Sequence, residues 1–282
     1  MRRPGLMCAQ DAARYPGRPL QTELGREAGQ VGHAATPRQK DHAMSPSSPE
    51  RVADGAYQIQ AIGARVTVLR AGEDVVLVDT GPMGSLKRVG NGLAELGLSL
   101  EQVKLVVLTH YHPDHSGGLG RLVEINGAKV AVHRLEAGIV NGQERIPSPF
   151  RNPVVAAVTR PLLSPFYGFY GAQVKVDYLL EDGDPLPVDT EVSVIHTPGH
   201  TVGSVSLYVP TAKLLVVGDA LQHRFRRLSP PAAAVTADPN QALLSMSKLM
   251  EFDFDTICFG HHRPLLQGAR NALGKLIEKH AS

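Results

Sequence analysis

The 282 residues carry a formal net charge of +2, with 43% hydrophobic and 20% charged residues and no tryptophan, an ordinary balance for one globular domain with a sizeable core. Beyond the first 50 residues, basic and acidic side chains number 22 each, so no strongly basic face is implied and nucleic acid is not an expected partner. Two cysteines, Cys8 and Cys258, exclude a disulfide framework, and no apolar run approaches the ~20 residues that span a bilayer; a cytoplasmic protein acting on a small molecule, without a membrane partner, is expected.

Residues 1–49 contain no Ile or Phe and only Tyr15 among the aromatics, and they are rich in Gly, Pro, Arg and Gln. Such a segment cannot bury enough apolar surface to offset its ordering entropy, so it reads as a disordered tail ahead of a domain spanning 50–282. Met44, directly before Ser45-Pro46-Ser47-Ser48-Pro49, is a candidate start of translation.

From Val52 onward, short β-rich runs alternate with helical periodicity. Val66–Leu69 and Val75–Val78 read as paired strands around a Gly-Glu-Asp turn, and Leu86, Val89, Leu93 and Leu96 mark a helix over 85–96. Leu105–Leu108 is continuously apolar, as in a strand buried on both faces. Further strands are expected at 129–132, 192–195, 205–209, 214–217 and 257–259, with helices at 240–250 and 269–279. Interleaved strands and helices imply a layered α/β domain. Residues 141–175 interrupt the pattern with five of the 21 prolines and five of the 14 Phe and Tyr residues, either an irregular excursion on the body or the wall of a substrate cleft. Cys258, inside Thr256-Ile257-Cys258-Phe259, reads as a buried small hydrophobe.

The chemistry concentrates in Thr109-His110-Tyr111-His112-Pro113-Asp114-His115-Ser116-Gly117-Gly118, directly after the apolar strand. Side chains alternate along an extended segment, so His110 and His112 face one way and can share a metal. Pro113 then turns the chain, letting Asp114 and His115 aim at a neighbouring position. Three imidazoles and a carboxylate in six residues suit Zn²⁺, Fe²⁺ or Mn²⁺. His200 (in Pro198-Gly199-His200), Asp219 (in Gly218-Asp219) and His261 (in Gly260-His261) each follow an expected strand with glycine just before them.

With these motifs the chain resembles the metallo-β-lactamase-fold hydrolase superfamily over roughly residues 52–280. The resemblance is carried by Val78-Asp79-Thr80-Gly81, the His110–His115 motif, His200, Asp219 and His261, in the family's order. It implies a four-layer αββα sandwich, two mixed β-sheets flanked by helices, and two divalent metal ions, zinc foremost, with iron or manganese as alternatives. Carried over by residue, His110, His112 and His200 would hold one ion, Asp114, His115 and His261 the other, and Asp219 would bridge them. Asp79 would support the ligands from behind. Aspartate at 219 and histidine at 115 resemble the glyoxalase II-like and lactonase-like branch, and the commonest true β-lactamases less.

His262 could exchange with its neighbour as a ligand; His133 reads as a surface or cleft-edge residue, His196 as structural, and Arg224, Arg226 and Arg227 as a solvated loop or an anion-recognition element. The expected activity is hydrolysis of an ester-like bond, with Asp114 both ligating and transferring a proton. Rivals on the same donor set are phosphodiester cleavage, di-iron redox chemistry, and metal binding without catalysis.

Overall fold

The computed structural model describes residues 48–147, 154, 155, 157–159 and 173–281. All but Ser48 and Pro49 of the expected tail, and most of the stretch from 148 to 172, lie outside the described residues.

Strands that are apolar on both faces build two sheets packed back to back. In the larger sheet, β1 (Glu50–Ala53), β2 (Ala56–Gln60), β3 (Arg65–Ala71), β4 (Asp74–Val78), β5 (Val103–Val107), β6 (Lys129–His133) and β7 (Tyr178–Leu180) lie in sequence order. Pairing is antiparallel from β1 to β4 and parallel from β4 to β7. The smaller sheet orders β13 (Thr256–Cys258), β10 (Leu214–Val216), β9 (Val205–Val209) and β8 (Ser193–His196), with only β13–β10 parallel. A separate hairpin joins β11 (Gln222–Arg224) and β12 (Arg227–Ser229).

The period of two assigns each side chain to a layer. Val76, Val78, Leu105 and Val107 meet Val194, Leu207, Leu214, Val216 and Cys258 between the sheets. Their neighbours Val75, Leu77, Val106 and Leu108 face outward against α1 (Leu86–Glu95) and α3 (Leu119–Asn126), through Val89, Leu93, Leu119 and Leu122. On the opposite flank Leu215, Ile257 and Phe259 pack on α5 (Pro239–Leu249) and α6 (Ala269–Ala281), through Met246, Leu249 and Leu273. The result is the expected four-layer αββα sandwich of two mixed sheets. Two one-turn helices, α2 (Pro113–Ser116) and α4 (Ala137–Val140), carry functional segments between the larger elements.

Several expectations are corrected. Pro113, expected to turn the chain, is the first residue of α2, where a missing N–H costs nothing. The strand expected at 192–195 is shifted one residue on, and β1, β2, β7 and α3 had no reading of their own. The arginine cluster is a hairpin rather than a loop. Among the described residues, no helix is long and apolar enough to cross a membrane.

Candidate metal centre

The ends of β4, β5, β8, β10 and β13 meet at one rim of the sandwich. Asp79 follows β4 with φ of 65°, a left-handed conformation that an aspartate tolerates better than most side chains. From there its carboxylate accepts from the backbone N–H of Thr109 at 2.8 Å, from the Thr109 hydroxyl at 2.9 Å, and from His115 Nδ1 at 2.7 Å. Fixing Nδ1 in this way turns His115 Nε2 toward the centre.

All seven candidate ligands converge. His110, His112 and His200 form one group whose donor atoms lie within 4.8 Å of one another, and Asp114, His115 and His261 form a second. His110, His115 and Asp219 meet the same criterion and join the two. Within the first group His200 Nε2 and His112 Nδ1 are 3.0 Å apart; in the second His115 Nε2 and His261 Nε2 are 3.3 Å apart. Asp219 stands between them, with Oδ2 3.7 Å from His200 Nε2 and 3.3 Å from His261 Nε2, and Oδ1 3.6 Å from His115 Nε2.

The donor set fits divalent cations. His110 Nε2 is buried without a hydrogen-bond partner, an arrangement that costs on the order of 1–3 kcal/mol unless something fills it. Imidazole nitrogens facing each other across about 3 Å, with carboxylate oxygens alongside, make a cage for a Lewis acid rather than a self-satisfied polar network.

The charges divide the two groups. Burial, reinforced by the neighbouring rings of His115, His112 and His200, holds His110 well below the usual imidazole pKa, and burial with His200 lowers His112 to about 3. His115 is also buried, yet the charges of Asp79 and Asp219 raise it to about 9. Hydrogen bonds to Asp114 and Asp219 overcome burial at His261 and raise it to about 11. Burial would raise Asp219, but the charge of His115 and the contact with His261 hold it at about 2. Asp114 is depressed further, by His261 and His115 against its own burial.

Glycines clear the space. Gly218, with φ of 50°, lies where a Cβ would overlap the Thr109 side chain, and a Cβ at Gly260 would meet Asp219 Oδ1 and His115 Cε1. The two glycines let the β10 and β13 ends approach the ligands.

Glu136, between β6 and α4, is fully buried and was not legible in the sequence, where a lone glutamate three residues past a strand carries no motif. Its Oε2 accepts from the N–H of Tyr111 at 2.6 Å, between the first two histidines; its Oε1 accepts from the Thr201 hydroxyl and, at 3.1 Å, from the Gly203 N–H. Burial raises its pKa to about 7 against those hydrogen bonds.

The other histidines divide clearly. His133, expected at the surface or a cleft edge, is buried and stacks on His196 with centroids 4.0 Å apart. His262 enters none of the three ligand groups; burial, then the charges of His261 and Arg224, lower its pKa.

The sequence profile of the metallo-beta-lactamase superfamily matches residues 61–261. The chain is 30% identical over 203 residues to the probable metallo-hydrolase YflN of Bacillus subtilis, covering 67% of this chain and 76% of that protein. It is 30% identical over 174 residues to the human acyl-coenzyme A thioesterase MBLAC2, covering 56% of this chain and only 58% of that protein. The metallo-beta-lactamase family protein TTHA1429 of Thermus thermophilus superposes with a TM-score of 0.62 at 25% identity, over 82% of this chain and 81% of that one. A profile match over most of the chain, a shared fold and a rim of converging histidines and aspartates agree: the chain belongs to the metallo-beta-lactamase superfamily and is a metal-dependent hydrolase of that fold.

Proposed function

We propose that the centre holds two divalent cations and hydrolyses an ester-like bond, with a thioester favoured over a lactone or simple carboxylic ester. The observation that carries this reading is the pair of three-residue groups sharing one rim, with Asp219 between them. His110, His112 and His200 would hold the first ion and Asp114, His115 and His261 the second, with Asp219 within reach of both groups. Zinc suits a donor set of imidazoles and carboxylates, as do iron and manganese. The preference for a thioester is supported by the likeness to the acyl-coenzyme A thioesterase MBLAC2.

When bound, such a cation pair lowers the pKa of water toward neutrality and polarises the scissile carbonyl. The chain's own groups supply the rest. Asp79 holds His115 in one tautomer and one orientation. Glu136 ties the His110–His112 segment to the turn after His200, so the two halves of the first group cannot drift apart. Asp114 has a side chain 46% exposed and lies 3.2 Å from His261 Nε2. It is the proton carrier, taking a proton from attacking water and delivering it to the leaving oxygen or sulfur. Water adds across the bond, giving a carboxylic acid and a thiol or alcohol.

The deciding experiment is a panel of thioesters, lactones, phosphodiesters and β-lactams on metal-analysed protein, with Asp219→Ala beside it. Thioester turnover lost together with metal stoichiometry in Asp219→Ala is the expected result. Full activity in that variant, or turnover confined to phosphodiesters, overturns the reading.

A further inference from the structure

The β11–β12 hairpin gathers three unfavourable features at its tip. The two-residue loop, Phe225-Arg226, has φ of 50° and 60°, the double left-handed turn that favours Asn-Gly and penalises bulky residues. Arg224 lies directly opposite Arg227 in the register, and like charges in that position repel. Phe225 is 92% exposed, a whole aromatic ring in water. Among the described residues, arginine ion pairs use Arg51, Arg65, Arg121 and Arg134, and none of the three tip arginines. Local costs of this kind, concentrated at one exposed point, are a mark of a functional element.

The root of the hairpin lies close in the chain to two of the candidate ligands. Gln222 follows Asp219 by three residues, and His223 donates from Nδ1 to the carbonyl of Arg263 at 3.2 Å, two residues past His261. The His223 ring also lies 5.5 Å from that of Phe259. At about 3.3 Å per residue, three-residue strands set the tip roughly 10 Å from that root. Such a reach suits the part of a substrate beyond its scissile bond.

We infer that the tip of this hairpin, Arg224, Phe225, Arg226 and Arg227, binds the phosphorylated, nucleotide-like half of an acyl substrate whose reacting bond sits at the metal centre. The inference rests on the thioester reading for its reacting bond. Phosphate oxygens lying between Arg224 and Arg227 would turn a repulsive cross-strand pair into a bidentate anion clamp. The bare Phe225 ring offers a stacking face for a base. An anionic membrane surface would also suit exposed arginines and an aromatic, but the pinning of the hairpin root beside Asp219 and His261 favours a substrate.

The test titrates coenzyme A into the metal-loaded full chain by calorimetry, and compares kcat/KM for butyryl-coenzyme A with that for butyryl-N-acetylcysteamine, which has the same thioester without phosphate or base. Arg224→Gln with Arg227→Gln should raise the Kd for coenzyme A about tenfold and cut the preference for the phosphorylated thioester by a similar factor. Phe225→Asn with Arg226→Gly should also weaken binding while raising the thermal midpoint, because the loop strain is relieved; binding lost in a more stable protein is not unfolding. Unchanged Kd and preference in both variants overturn the inference, even if thioesters are hydrolysed. So does arginine-dependent binding confined to phosphatidylserine vesicles. If the wild type hydrolyses neither thioester, the thioester reading falls, while the coenzyme A titration still decides the hairpin.

Discussion

The backbone N–H of Tyr111 donates to Glu136 Oε2 at 2.6 Å, so a buried carboxyl grips the peptide between two histidines of the candidate metal centre. The other oxygen of the same group holds Thr201 and Gly203, just after His200. One side chain thus joins three segments distant in the chain.

Glu136→Gln should leave the fold intact and lower kcat/KM about 10–100-fold, as loss of a group supporting metal ligands does. Replacing the acid with an amide removes one acceptor while keeping the volume. Metal content and steady-state rates on the same preparation check it; unaltered rates would show that Glu136 is only packing.

Glu136 also makes stability depend on pH. Its pKa is raised from 4.5 to about 7 by burial, so the folded state holds the proton more tightly than the unfolded state. The stability this contributes is present below about pH 4.5 and is lost as pH rises through about 7. The gap in thermal midpoint between wild type and Glu136→Gln, both metal-loaded, should therefore narrow from about pH 5 to about pH 8. A gap that stays constant or widens would mean that the carboxyl is ionised throughout.

Asp79→Asn preserves shape but not the acceptor pair that fixes Thr109 and His115. Metal affinity should fall about 10–100-fold, and the effect should exceed that on global stability. Competition with a chelator, read beside a thermal melt, separates the two.

Gly260→Ala places a methyl group against Asp219 and His115. Activity should fall sharply. A Leu207→Ala change between the sheets, where the side chain is fully buried, should instead cost about 2–5 kcal/mol of stability and leave kcat nearly intact in the folded fraction. A denaturant titration with rates on each variant tests the contrast.

Cys258 is fully buried between the sheets, and burial raises its thiol pKa well above the usual range. It should resist thiol reagents in the native protein and react only after denaturation. Mass spectrometry of alkylated peptides reads this directly, and rapid native labelling would contradict it.

Much of this fold and site was legible in the chain because the relevant signals are local. Leu105–Leu108 announced a strand buried on both faces, and β5 sits between α1 and α3 on one side and the second sheet on the other. The spacing of His110, His112, Asp114 and His115 put four donors within six residues, and glycine before His200, Asp219 and His261 marked where strands end at a crowded rim. What stayed hidden depended on contacts between distant segments. Glu136 carries no motif, and only folding brings β6 beside the turn after His200. His133 read as a surface or cleft-edge residue at a strand end, but it is buried and stacks on His196. The arginines at 224–227 looked like a solvated loop because the cost of the turn lies in backbone angles, and their opposition in register exists only once β11 and β12 pair. Periodicity and donor spacing repeat within a few residues and can be read from a string. Burial, cross-strand register and the second partner of a hydrogen bond are set by tertiary packing, because each needs a residue many positions away.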